Sequence, residues 1–446
     1  KMSNFGDHPA GFFGVSGFYN NVATQSLRFE DGSAHKLTRT FSGDPDNNKK
    51  MTISVWVKRG NLSTGGTQVI IATYDGTRFL GELAWDSSTD VLRFDPGGNG
   101  DGSSNSYRID TTALFRDVSS WYHIVVAYDS TQGTDTNRVK IYVNGTQKLI
   151  TVPSGQSYPP QNYAHLYSYQ GANNTIGEFG ANFDSGELDG YLSEFNFIDG
   201  LTLDPTYFGE TKNGVWIAKK YTGSYGSNGY RLEFKNTSVG TGSSSTIGAD
   251  TSGNNNHWTS SGTAAHDCAM PDSPENNFAT LNPLYRLYNT SSYFNTGNLK
   301  HISNSTGVTS QGHSTIALKQ SDGGKWYAEC RLNTQANGST WIGVCRDVPK
   351  LAGGLFVAAT RSNGYAYKID GNATTTDNNG SSYGNTYTAG DIIGIALDLD
   401  NNQIFFYKNG TIQNSGTAAF TSITALDNGT ANTSQHFVFG ADTDPQ

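Results

Sequence analysis

Apolar residues alternate with a period of two along much of this chain, and nothing else limits its fold so strongly. Successive side chains of a strand point to opposite faces, whereas a helix returns to one face every three or four residues. In residues 51–57, Ile53, Val55 and Val57 share a parity and face one way. The period recurs in residues 121–128, from Trp121 to Tyr128, and in residues 138–143, which run into Asn144-Gly145. Asn-Gly accepts the positive φ angles of a tight hairpin turn. No stretch sustains the roughly 3.6-residue apolar period over three turns that a substantial helix needs. Composition points the same way: charged residues make up only 15%, while Gly reaches 53, Tyr 24 and Phe 23, a balance that favours strands and turns. The expected class is all-β.

At 446 residues the chain exceeds what one core usually serves, so two domains are expected. The second half repeats the plan of the first: an alternating run over residues 391–400, another over 403–408, then Asn409-Gly410. The sequences otherwise differ, which indicates two versions of one β-sandwich rather than a short-period solenoid. Between them, residues 222–261 are crowded with Gly, Ser, Thr and Asn around one strand-like run at residues 230–234. Such low apolar content reads as a connector, which Pro271, Pro274 and Pro283 extend in a stiffer form. The predicted organisation is an N-terminal docking segment 1–26, a first sandwich 27–210, a Gly/Ser/Asn-rich connector 211–283 and a second sandwich 284–446.

The formal charge of −9 leaves no basic face for a phosphate backbone, so nucleic acid is not an expected partner. The most apolar N-terminal stretch, residues 11–19 with Phe12, Phe13, Phe18 and Tyr19, is short and broken by glycines; it falls well under the roughly 18 residues a spanning helix needs. The first residues show no secretory pattern, which leads to the expectation of a chain made and folded in a cytoplasm. Three cysteines cannot build a disulfide framework, and none sits in a C-x-x-C pair. Cys268 stands alone, whereas Cys330 and Cys345 occupy neighbouring strand-like runs and could face each other across a hairpin. All three read as buried free thiols.

The first half resembles the laminin-G-like branch of the concanavalin A-type lectin/glucanase superfamily. The segments that carry the resemblance run from Ile53 to Lys58, from Trp121 to Ile124 with Ile141 to Gly145, and from Leu188 to Phe195. The second half resembles a SPRY domain, through Gly324 to Glu329, Trp341 to Val344, Tyr383-Gly384, Gly390 to Asp398 and Phe406 to Gly410. Both resemblances imply a concanavalin A-like sandwich of jelly-roll type, with Phe437 to Gly440 closing the 391–408 hairpin. The pairing of the two modules, together with the opening Phe5 to Gly14 and the phrases at 250–258 and 276–284, is similar to structural proteins of marine tailed bacteriophages. That resemblance implies a virion component assembled in a host cytoplasm: a tail fibre, appendage or capsid-attached fibre used for host-surface attachment. Its expected partners are other virion proteins, further copies of the chain and a host cell-surface glycan. The alternatives are an architectural capsid decoration or connector, and a polysaccharide depolymerase.

Because glucanases share the sandwich, the spacing of acids bears on hydrolysis. A retaining mechanism needs two carboxylates roughly 5 Å apart on one strand face. Glu187-Leu188-Asp189 is the best start, but the next acid, Glu194, would face the opposite side of a continuous strand. No His-Glu-x-x-His or phosphate-loop pattern occurs, and no enzyme and no cofactor is expected. His123 reads as structural. The loop at residues 95–102 offers oxygen ligands for Ca2+, but its spacing fits no defined calcium loop and a solvated turn is the simpler reading. Glycan recognition pairs aromatic faces with amide or carboxylate groups. Tyr158, Asn162, Tyr163, His165, Tyr167, Tyr169 and Asn173 form the one segment of that composition in the first half; Tyr365, Tyr367, Tyr383 and Tyr387 are the comparable set in the second. Packing of the sandwich rim or of a neighbouring subunit is the competing explanation for the first set.

Overall fold

The structure, a computed structural model, describes residues 18–31, 34–62, 66–74, 79–86, 88–97, 107–179, 186–283, 292–303, 310–334, 339–346, 364–375, 380–424 and 436–444. Among them no helix exceeds a single 3-10 turn. The chain forms two compact units, one of residues 1–278 with 295–297 and one of the remainder.

The first unit begins with β1 (Leu27–Phe29), β2 (Lys36–Thr40), β3 (Lys50–Arg59), β4 (Thr67–Tyr74), β5 (Phe79–Asp86) and β6 (Val91–Asp95). It continues with β7 (Ile109–Leu114), β8 (Trp121–Asp129), β9 (Val139–Val143), β10 (Thr146–Gln147), β11 (Ile150–Thr151) and β12 (Asn173–Ile176). Last come β13 (Gly190–Asp199), β14 (Gly209–Lys212), β15 (Val215–Ala218), β16 (Tyr230–Leu232) and β17 (Thr259–Ser261). One sheet runs β1-β13-β3-β8-β9-β10, with β16 also on β13; the other runs β11-β7-β6-β5-β4-β12-β2-β17.

Alternation decides which side chains meet. Ile53, Val55 and Val57 on β3 and Ile124, Val126 and Tyr128 on β8 pack with Leu83, Trp85, Leu92 and Phe94 of β5 and β6 in one core. Each such side chain contributes about 1.5–3 kcal/mol by leaving water. The Asn-Gly turns form as the dipeptides predict, with Asn144 and Gly145 at φ 50° and 75° and Asn409 and Gly410 at 48° and 76°.

Residues 211–278 correct the expectation of a connector, because they are part of the first unit. The opposite parity of the first sheet explains why. Trp56, Trp121 and Tyr191 are covered by Ala218, Trp216 and Met270, and Val125 and Ile198 by Phe208, Tyr221 and Tyr225. The segment then pairs with both sheets. β16 lies on β13 beyond the end of β1, and β17 closes the outer edge of the second sheet beside β2.

The second unit has one sheet ordered Ser310–His313, His436–Asp444, Ser339–Arg346, Gly364–Lys368, Asn372–Thr374 and Ser381–Ser382, and another ordered Lys325–Arg331, Ile392–Asp398, Gln403–Lys408 and Thr411–Ile412. Ile342, Val344 and Tyr367 meet Ile393, Ile395, Leu397, Ile404 and Phe406 in its core. Two expectations are corrected here. Phe437 to Gly440 lie on Ser339–Arg346 rather than closing the 392–408 hairpin. Cys330 pairs opposite Ile393 in one sheet while Cys345 pairs opposite Val438 in the other, because the chain changes sheets between two consecutive strands. None of the three cysteines is in a disulfide; Cys268 and Cys345 are buried and Cys330 partly so.

Candidate functional site

The core-facing residues of β5, β6 and β7 leave the other parity pointing away from the core, and much of that parity is charged although buried: Glu82, Arg93, Asp95 and Asp110. Glu82 and Asp95 stand opposite each other on β5 and β6. Arg93 reaches Glu82 at 3.2 Å and also grips Asp86. Arg108, just before β7, is held by Asp110 through Nε at 2.8 Å and Nη2 at 2.6 Å, and touches Asp86 at 3.3 Å. Burial pushes the Asp86 carboxyl up, but hydrogen bonds from Ser88 and the charges of Arg93 and Arg108 outweigh it and leave it at about 2. Asp95 goes the other way. Burial lifts it to about 7, with Glu82 adding to the effect and the Gly97 N–H opposing it. Two oxygens of this lattice, Asp95 Oδ2 and Glu82 Oε2, have no hydrogen-bond partner among the described residues.

An aromatic pair flanks the lattice. Tyr107 and Tyr163 meet edge to face with centroids 4.6 Å apart, and both are half-buried. The Tyr163 hydroxyl donates to the Gly97 carbonyl at 3.0 Å, two residues from Asp95, and Tyr107 adjoins Arg108 in sequence. The backbone carbonyl of Tyr163 accepts from Tyr128 Oη at 2.8 Å and Ser130 Oγ at 2.7 Å, so the segment is fastened to the end of β8. Half-exposed rings beside guanidinium and carboxylate groups form a surface that can hold both the apolar face and the hydroxyls of a polar ring.

The predicted aromatic segment divides. Tyr163 joins the lattice. Tyr158 packs half-buried against the core, and Asn162 and Tyr169 are exposed, Tyr169 at 45%. Asn173 lies on β12, where its Oδ1 accepts from Thr40 at 2.6 Å. His165 and Tyr167 are fully buried: Tyr167 stacks on Phe94 at 6.0 Å and its hydroxyl donates to the Asp95 carbonyl at 3.1 Å, while burial lowers the His165 pKa to about 4. Neither ring offers a face to solvent.

In the second unit the four tyrosines serve the core. Tyr367 stacks on Phe406 at 5.3 Å and donates to the Asn385 carbonyl; Tyr383 donates to the Thr417 carbonyl at 3.2 Å. Tyr387 is buried and reaches the carbonyls of Thr340 and Tyr367 at 2.9 and 3.0 Å. Tyr365, half-buried against Phe420, accepts from the Thr424 N–H at 3.0 Å.

The acids weighed for hydrolysis are engaged or sealed. A β-bulge between Ser193 and Asn196 turns Glu194, at φ 48°, toward Arg231, which binds it through two contacts of 2.7 and 3.0 Å. Asp189 is fully buried and burial raises its pKa well above the carboxylate range. Glu187 accepts from the Ala34 N–H at 3.2 Å. His123 is clamped between Trp56 and Trp216, with Nε2 2.9 Å from Ser54 Oγ and Nδ1 accepting from Trp216 at 2.9 Å. Of the proposed Ca2+ loop, residues 98–102 lie outside the described residues, as do residues 1–17 of the docking segment. Among the described residues no three His, Cys, Asp or Glu side chains gather as a metal would require.

Two sandwiches, the first bearing an ionic lattice on the side away from its core with an aromatic flank, define a β-sandwich protein of lectin-like architecture. Residues 31–205 match the family model of the concanavalin A-like lectin/glucanases superfamily, and residues 325–428 match that of the SPRY domain. The chain thus carries a laminin-G-like domain followed by a SPRY domain. No curated protein matches it. Among solved structures it is similar to a SAP-like pentraxin from Limulus polyphemus, at 17% identity over 41% of this chain and 79% of that one, TM-score 0.29. It is also similar to the SPRY domain of human HERC1, at 17% over 37% and 90%, TM-score 0.25. A third is a putative carbohydrate binding protein from Bacteroides ovatus, at 16% over 47% and 55%, TM-score 0.29.

Proposed function

We propose that this chain is a structural protein of a virus particle whose laminin-G-like unit binds a glycan of the host surface. The observation that carries the binding reading is the Tyr107–Tyr163 pair, which adjoins Arg108 in sequence and bonds to Gly97 just past β6, the strand that carries Arg93. Sugar rings are recognised by aromatic faces against their C–H side and by charged or amide groups on their hydroxyls, and this surface supplies both within one sheet end. The order of the two domains, which resembles that of tailed-phage structural proteins, supports the virion setting.

Binding without hydrolysis is the reading the acids support. Glu82 and Asp95 converge from separate strands, but at 1% and 0% exposure neither can reach a glycosidic oxygen, as general acid catalysis requires. The test is a binding measurement of the purified chain against envelope polysaccharides of bacterial hosts. Micromolar binding without release of reducing ends is expected; release of reducing ends would favour a depolymerase, and absence of binding an architectural role.

A further inference from the structure

Lys58 lies on β3, the strand between β13 and β8, and its side chain is fully buried. Its ammonium donates to Asp272 Oδ2 at 2.8 Å, to the side-chain carbonyl Asn277 Oδ1 at 2.9 Å and to the Phe278 carbonyl at 2.6 Å. Asp272 is itself buried and fixed through Oδ1, which accepts from Trp121 Nε1 at 3.2 Å and from the Phe278 N–H at 3.3 Å. The Asn277 amide is held at both ends, because its Nδ2 donates to the Ser119 carbonyl at 2.8 Å. A desolvated amine, a carboxyl group and a carboxamide therefore touch one another, with the Tyr191 ring 5.9 Å from Lys58 Nζ.

These are the components of an amide exchange. A buried lysine is a nucleophile once it is neutral, and burial lowers the Lys58 pKa although Asp272 works against it. Contact at this range converts a bimolecular encounter into an intramolecular step.

We propose that Lys58 and Asn277 become joined by an intramolecular isopeptide bond, with Asp272 relaying the protons. Asp272 takes a proton from Lys58 Nζ, and the freed lone pair attacks Asn277 Cγ after a small rotation of the amide. The Nζ–Cγ bond forms and the Cγ–Nδ2 bond breaks. Both protons shed by Nζ end on Nδ2, which leaves as ammonium, and Asp272 returns to its carboxylate form. No oxidant, reductant or further reactant takes part. The bond would have a mechanical use, since the chain leaves the first unit between Phe278 and Ala279. A weld at residue 277 ties that exit to β3, so that a pull on the following chain bypasses the loops of residues 262–276.

The direct test is the intact mass of the folded, purified chain, followed by peptide mapping. The expected mass is lower than the sequence mass by one ammonia, with a single branched peptide containing Lys58 and Asn277. Asn277→Ala, at an exposed position, and Asp272→Asn should each keep their full sequence mass. A wild-type chain at full mass after prolonged incubation would overturn the proposal. So would an ammonia loss that maps to Asn144-Gly145 or Asn409-Gly410, where cyclisation onto the following residue also expels ammonia, or one that persists in Asn277→Ala.

Discussion

Between about pH 4, where a free aspartate titrates, and about 7, the folded protein holds a proton on Asp95 that the unfolded chain releases. The native state binds more protons in that window, so the Asp95 contribution to stability is full below it and is lost as pH rises through it. At about 1.4 kcal/mol per pKa unit the loss is on the order of 4 kcal/mol. His123 and His165, whose burial lowers their pKa values to about 3 and 4, slope the opposite way, so the effect is isolated by difference. Urea unfolding of wild type and Asp95→Asn at pH 5 and pH 8 should show the variant gaining on the wild type at the higher pH. Glu194 gives a second check. Arg231→Met leaves that carboxylate buried without its partner and is expected to cost about 3–5 kcal/mol in the same assay. At this scale the sequence was least informative. His165 and Tyr167 stand in a turn-rich segment without periodicity, so nothing marked them as inward, and Tyr107 borders a Gly/Ser/Asn stretch that gave no reason to pair it with Tyr163.

Strand by strand, legibility followed burial pattern. β3, β8 and β9 alternate and were readable, as was the hairpin of Ile392–Asp398 and Gln403–Lys408. The 211–278 segment was not, because its apolar residues are few and spaced by turns rather than by a period. What counts is where they land: Tyr230, Leu232, Phe234, Ile247 and Trp258 all enter the main core. A fragment of the first unit ending at residue 210 should therefore be insoluble, whereas one ending at residue 278 should fold with a cooperative urea transition. Trp258→Ala, in the longer fragment, is expected to lose about 3–5 kcal/mol. The bulge at Ser193–Asn196 escaped prediction for a related reason. Glu194 within it meets Arg231, a partner 37 residues away, and local alternation carries no sign of that pairing.

For the whole molecule, period, composition and the two Asn-Gly turns were enough to specify two all-β units, since each of those signals is local. The proposed binding surface was only half visible. The sequence pointed to Tyr163 and its neighbours through composition, but the charged parity of β5, β6 and β7 becomes a site only once three strands are in register. A ligand that uses that register should bind through Tyr107, Tyr163 and Arg108 together. The most direct measurement is calorimetric titration of host envelope polysaccharide into the wild-type chain, Tyr107→Ala, Tyr163→Ala and Tyr383→Phe. Micromolar affinity, weakened at least about tenfold by the first two changes and unaltered by the third, is the expected result. Absence of binding, or binding that survives loss of both rings, would contradict it.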